Sequence, residues 1–238
     1  MNKKFFEIRN KTETSADLLI YGDIVSSKNS FFSSDDNKCP QDIVDFLSDA
    51  QGRDLNIYIN SCGGNVFAGM AIYNQLKRYS GKKTVYVDGL AGSIASVIAL
   101  CGDELRIPAN AFLMIHKPFM GIIGNSPELR KAAEDLDRIE EGIVNVYAEN
   151  LKEGVEIDKI KEMMNEETWL NGEAAAEIFN CIVTEELKAV AYCDISSDLS
   201  HIPEEITNKT SANIQALEDA RIKLSSLNER IKNYGKKS

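Results

Sequence analysis

No stretch of this chain reaches the ~20 consecutive apolar residues that a membrane-spanning helix needs, and Met1-Asn2-Lys3-Lys4-Phe5-Phe6 runs straight into Glu7 and Arg9, not into an apolar leader. Membrane and export are therefore not expected, and the chain is expected in the cytoplasm. Basic residues are in deficit: 27 Lys and Arg stand against 37 Asp and Glu, a formal charge of -10. That balance argues against nucleic acid or an anionic membrane as the main partner, because both require a basic footprint. Protein or peptide partners fit better. The five cysteines, Cys39, Cys62, Cys101, Cys181 and Cys193, are odd in number, scattered and free of CxxC spacing. Neither a disulfide framework nor a zinc site is indicated, and most should be small core residues. No GxxxxGK[ST] phosphate loop occurs, so nucleotide binding is not expected of this chain itself. No cofactor and no metal is expected. Histidine is scarce too, with only two in the chain, which makes His116 easy to single out.

What is present is an alternation of strand and helix patterns. The length of 238 residues suits an α/β domain of roughly 150–200 residues with an appendage. Residues 17–24 read as a first strand, and 26–37 as a polar loop rich in Ser, Asp and Asn. Pro40 opens a helix with Ile43, Val44, Phe46 and Leu47 on one face, and residues 55–60 switch to strand periodicity. Cys62-Gly63-Gly64 makes a turn into a crossover helix over 66–79, and 83–88 return as a strand. Residues 93–100 read as a short buried helix starting at Ser93, followed by strands over 104–107 and 111–115. Ser126-Pro127-Glu128 reads as a helix start with Ser126 as N-cap. That helix is expected to run to about residue 151, with Leu129, Leu136, Ile139, Ile143 and Val146 along its buried face. A helix over 171–179 and a strand near Ile182-Val183 complete the core. Gly at the strand-to-helix turns argues for parallel sheets under helices, with ligands at the carboxyl ends of the strands.

Acyl transfer by serine needs a nucleophile, a base, a group that orients the base and donors for the oxyanion. Gly89-Leu90-Ala91-Gly92-Ser93-Ile94-Ala95-Ser96 offers Ser93 at a helix start, where the dipole favours an anionic intermediate and the preceding glycines permit a tight turn. His116, in Met114-Ile115-His116-Lys117-Pro118, supplies a base of near-neutral pKa. Gly63-Gly64 offers backbone N–H groups that a carbonyl can approach closely. Each feature also has a bland reading: an N-cap for Ser93, a core histidine for His116, and a plain turn for the glycines.

Taken together, Asn60-Ser61-Cys62-Gly63-Gly64-Asn65-Val66-Phe67-Ala68-Gly69-Met70-Ala71-Ile72-Tyr73, Gly89-Leu90-Ala91-Gly92-Ser93 and Met114-Ile115-His116-Lys117-Pro118 resemble the proteolytic subunit of the Clp protease in order and spacing. The resemblance covers roughly residues 15–190. Within that family, Asn65-Val66-Phe67-Ala68-Gly69, Val85-Tyr86-Val87-Asp88-Gly89 and Glu167-Thr168-Trp169-Leu170 look most like the phage and prophage branch of head maturation proteases. The resemblance implies an α/β fold of stacked ββα/βαβ units of the Clp protease and crotonase type, with Ser93 as nucleophile and His116 as general base. It puts Gly64 and Ile94 in the oxyanion hole and aligns Glu167 with the acid of the triad, Glu166 being the nearest rival. It also makes Phe119-Met120-Gly121-Ile122-Ile123-Gly124, with Gly63, a substrate-aligning strand to which a peptide pairs by β-augmentation, and the following helix the handle through which rings meet. Cys62 replaces the usual proline, Gly92 a usual alanine, and Ile94 stands where methionine is common.

The partners so implied are a peptide substrate and copies of this chain in a seven-membered ring, stacked in pairs as a tetradecamer. Beyond the ring stand either capsid and scaffold proteins or, for a housekeeping subunit, an AAA+ ATPase. The rival classes are a crotonase-type enzyme acting on a CoA thioester and a non-catalytic assembly protein. Residues 1–197 are read as the protease domain and 198–238 as a helical tail. In that tail Leu217, Leu224 and Ile231, with Ala220, Leu227 and Tyr234 between them, form a narrow apolar seam that needs a partner.

Overall fold

The computed structural model describes residues 14–28 and 36–185. The expected tail over 198–238 and the fifth cysteine, Cys193, lie outside the described residues. Along the chain run β1 (Ser15–Tyr21), α1 (Pro40–Ala50), β2 (Asp54–Ser61), α2 (Val66–Arg78), β3 (Lys83–Gly92), α3 (Ile94–Ala99), β4 (Glu104–Pro108) and β5 (Phe112–Ile115). They are followed by α4 (Ser126–Ala148), α5 (Ile157–Asn165), β6 (Thr168–Asn171), α6 (Gly172–Ile178) and β7 (Ile182–Thr184). The mixed α/β class expected from the sequence is the class observed.

The strands join in the order β1-β2-β3-β4-β7, all parallel. The ten-residue β3 forks this sheet: Thr84 to Tyr86 pair with β4, whereas Leu90 to Gly92 pair with β5. Strand β5 in turn carries β6 antiparallel at its other edge. Alternation along the strands buries Leu18, Ile20, Ile57, Ile59, Val85 and Val87 on one face at 3% exposure or less. Each such side chain contributes about 1.5–3 kcal/mol when withdrawn from water. Helices α2 and α3 pack against each other, and Gly69 makes this possible: a Cβ there would stand 2.2 Å from Ile94 Cγ1.

The opposite face is polar and aromatic. Asn56 donates to Asp17 (2.9 Å), Tyr58 stacks on Tyr86 with centroids 5.0 Å apart, and Tyr21 donates to Asp88 (2.5 Å). These side chains, apart from the buried Asp17, are half-exposed, so the helices cover this sheet on one face among the described residues.

Several boundaries differ from the sequence reading. The first strand stops at Tyr21, because Gly22 takes a φ of 75° and turns the chain. The N-cap of α4 is Asn125, not Ser126. Its Oδ1 accepts from Glu128 N–H (3.2 Å) and the Glu128 carboxylate accepts from Asn125 N–H (2.8 Å). A reciprocal box needs an acid three residues after the cap, a place that Glu128 fills for Asn125 while Leu129 would fall there for Ser126. The apolar face of α4 is covered mainly in its second half: Ile143, Val144, Val146 and Tyr147 are buried there, whereas in the first half Ala132 is buried and Leu129 is 45% exposed. Helix α5, which buries only Ile160 and Met164, and strand β6, which buries only Leu170, are too short and too exposed to show a period in the sequence.

Candidate active site

Ser93 stands between β3 and α3 at φ 52° and ψ −127°. For a residue with a Cβ this left-handed backbone costs about 1–3 kcal/mol and persists only where neighbours hold it. Here they do: its N–H donates to the Met114 carbonyl (2.8 Å), and its own carbonyl accepts from the N–H (3.0 Å) and the hydroxyl (2.6 Å) of Ser96. An N-cap serine has negative φ and bonds the first turn with its side chain. Ser93 does neither. Its Oγ lies 2.7 Å from His116 Nε2 instead.

That pairing follows from the sheet. Strands β3 and β5 are parallel, with Gly92 opposite Met114, so Ser93 and His116 emerge side by side at the carboxyl ends of adjacent strands. With its proton on Nδ1, the neutral imidazole accepts the Ser93 hydroxyl at Nε2. Burial pulls the His116 pKa below the ordinary 6.5, and the charge of Glu167 works in the opposite direction. The ring of Phe119 meets the imidazole edge-on, centroids 5.6 Å apart.

Glu167 reaches the same corner through β6. In the antiparallel register Ile115 faces Thr168, so the next step along both strands brings His116 and Glu167 together. The end of α5 is tied down there by Lys117 N–H donating to the Met164 carbonyl (3.1 Å) and Thr168 Oγ1 donating to the Met163 carbonyl (2.7 Å). Glu167 is half-buried at φ 51°, whereas Glu166 closes α5 as its C-cap and is exposed. The geometry thus separates the two glutamates.

The glycine turn after β2 closes the site. Gly63 donates its N–H to Ser61 Oγ (3.1 Å), and its carbonyl accepts from Ile24 N–H (2.7 Å). Asn65 N–H donates to the Ile24 carbonyl (2.8 Å), so the chain is held on both sides of Gly64. Since the Gly63 N–H is engaged, Gly64 is the better placed of the two to offer a donor. Ile94, as the first residue of α3, has an N–H with no acceptor inside its helix. A Cβ on Gly63 would stand 3.1 Å from that nitrogen, which puts turn and helix start in direct apposition.

Asn60, Ser61 and Ser96 carry no motif that marks them as part of a site. Asn60 Oδ1 accepts from Leu90 N–H (3.1 Å) at the fork of β3, and the only signal for it was its place just before the glycine turn. The segment expected as a substrate-aligning strand, Phe119, Met120, Gly121, Ile122 and Ile123, carries no strand pairing among the described residues. It is an exposed run, with Phe119 at 61% and Ile123 at 104%. Met120 and Ile122 line an open groove of about 510 Å³ with Pro127, Glu128, Lys131, Ala132 and Asp135 of α4.

A family model described as Clp protease matches residues 13–179, which span every element named above as far as α6. The chain belongs to the Clp protease family. Similar proteins include the ATP-dependent Clp protease proteolytic subunit of Bacteroides fragilis, 29% identical over 128 residues, 53% of this chain and 61% of that protein. The ATP-dependent Clp protease proteolytic subunit 1 of Chlamydia trachomatis is 34% identical over 131 residues, 53% of this chain and 67% of that protein. That of Protochlamydia amoebophila is 31% identical over 130 residues, covering 62% of its length. This chain therefore spans less than two thirds of the Bacteroides and Protochlamydia relatives. Among the described residues no helix is long and apolar enough to cross a membrane.

Proposed function

We propose that this chain is a serine endopeptidase that cuts peptide bonds through Ser93, His116 and Glu167. The observation that carries the reading is the 2.7 Å contact between Ser93 Oγ and His116 Nε2 at a serine held in left-handed backbone. Ser93 Oγ attacks the scissile carbonyl as His116 Nε2 takes its proton. The oxyanion lies between the N–H groups of Gly64 and Ile94, and Glu167 steadies the imidazolium. Collapse breaks the C–N bond, the amine leaves with the proton from His116, and an ester remains on Ser93. Water then attacks that ester, His116 takes the proton of the water and returns it to Oγ, and the carboxylic acid departs.

Ser93→Ala tests this: purified protein should cleave a small fluorogenic peptide, and the variant should lose about 10³-fold or more in kcat while remaining folded. Undiminished cleavage by the variant contradicts the reading.

The reading extends to assembly. The exposed apolar run around Phe119 and Ile123 and the largely exposed first half of α4 support a ring of copies, seven per ring and two rings stacked, with the groove filled by a neighbour. On the three segments that resemble the phage branch, the substrates are scaffold or capsid proteins, with an AAA+ ATPase as the partner of a housekeeping role. Rings seen by electron microscopy, and cleavage of a scaffold protein encoded beside this gene, check these two extensions separately.

A further inference from the structure

Ser96 and Tyr147 form a buried hydroxyl chain behind the site that the mechanism above does not use. Each is 1% exposed, and their oxygens are 2.7 Å apart although they lie 51 residues apart in sequence. Ser96 Oγ also stands 2.6 Å from the Ser93 carbonyl, which can only accept. A serine hydroxyl has one proton. That proton goes to the Ser93 carbonyl, so Tyr147 must be the donor to Ser96 Oγ. The direction of the chain is thereby fixed: Tyr147 O–H to Ser96 Oγ, and Ser96 O–H to Ser93 C=O.

The Ser93 carbonyl and the Ile94 N–H belong to one peptide unit. That unit is planar and trans, so its C=O and N–H point in opposite directions and turn together. Fixing the carbonyl on one side therefore fixes the N–H on the other. The Ser96 backbone N–H already holds the carbonyl at 3.0 Å, and the hydroxyl adds a second, shorter tether. Ser93 is where such a tether is needed, because φ 52° paired with ψ −127° lies outside the relaxed regions, and a turn of this peptide unit to positive ψ would relax the backbone while carrying the Ile94 N–H away.

We infer that Tyr147 and Ser96 are positioning residues that aim the Ile94 N–H at the oxyanion, which places a residue of α4 in control of the reactivity of Ser93. The inference rests on the proposed role of Ile94 and deepens it. Tyr147 belongs to α4 and its hydroxyl meets Ser96 directly, so a displacement of that helix reaches the oxyanion donor through one phenol; its ring also packs on Phe179, centroids 5.8 Å apart, a contact outside the hydroxyl chain.

Tyr147→Phe removes the hydroxyl and keeps the ring. Loss of an oxyanion donor costs ~10²–10³ in kcat, and a donor that is only misdirected should cost ~10-fold, with KM unchanged because the donor acts in the transition state. Affinity for a peptide boronate, whose adduct with Ser93 is tetrahedral, should fall in parallel. Ser96→Ala should fall at least as far, and the double variant no further than Ser96→Ala alone, since both act through one carbonyl. Phe179→Leu loosens the same packing without touching the hydroxyls, and it should keep kcat within about twofold. Equal kcat for Tyr147→Phe and the unaltered chain overturns the inference, as do additive losses in the double variant or an equal loss in Phe179→Leu. If the unaltered chain itself neither cleaves the peptide nor binds the boronate, the peptidase reading fails first and takes this inference with it.

Discussion

Gly63 lies so close to Ser93 that a Cβ built on it would stand 2.7 Å from the Ser93 Cβ and 2.7 Å from the Gly92 carbonyl oxygen. The two residues are thirty positions apart, joined by the crossover helix and β3. Their contact is what brings the glycine turn against the proposed nucleophile and the Ile94 N–H.

Gly63→Ala should accordingly be severe. The glycine has φ 102°, and the backbone atoms that a methyl would meet cannot swing aside as a flexible side chain does. We expect a loss of about 1–3 kcal/mol in stability and of ~10²-fold or more in kcat/KM, since both the serine and the oxyanion donor must shift. Melting curves and peptide cleavage measure the two losses. A variant with ordinary kcat/KM shows that the turn is not part of the site.

Glu167→Gln should lower kcat by ~10²-fold or more through loss of the charge that supports the imidazolium, whereas Glu166→Gln should stay within about twofold. The pH profile gives the sign. The rate requires neutral His116, so it rises with pH through the histidine pKa, and burial sets that limb below 6.5. The carboxylate of Glu167 raises this pKa, so its removal moves the limb to still lower pH. A limb displaced upward in Glu167→Gln, or the larger loss in Glu166→Gln, overturns the assignment.

How far the sequence anticipated this site depends on the range over which each residue acts. Ser93 and His116 are bounded by glycines and an apolar strand, and the parallel alternation that sets them side by side has a periodic signature. Glu167 was placed by resemblance alone. Its strand β6 has four residues and one buried side chain, Leu170, too few to show a period. Helix α5 likewise buries only Ile160 and Met164. The Ser96 to Tyr147 contact had no local signal, because it exists only once α4 has packed on α3. The left-handed backbone of Ser93 was equally hidden, since a serine before an apolar helix is ordinarily a cap.

Thiol reagents should leave the proposed peptide cleavage intact. Burial pushes the Cys101 thiol up to about 12 and that of Cys181 to about 11, so both are protonated at neutral pH, and Cys101 is fully enclosed. Iodoacetamide at pH 7.5 should spare Cys101 in the folded protein and modify it after unfolding, as read by mass spectrometry. Rapid loss of cleavage that tracks alkylation of Cys62 or Cys101 would assign the chemistry to a thiol.

The central claim is that Ser93 is a nucleophile activated by His116. A fluorophosphonate probe tests it most directly, because phosphonylation requires an attacking oxygen and a base, and it needs neither the natural substrate nor a partner. One adduct per chain is expected, mapped to Ser93 by tandem mass spectrometry, absent in Ser93→Ala and slowed by ~10³-fold or more in His116→Ala. A folded chain that takes no label, as a crotonase-type enzyme or a non-catalytic assembly protein would, or that takes it at a residue other than Ser93, contradicts it.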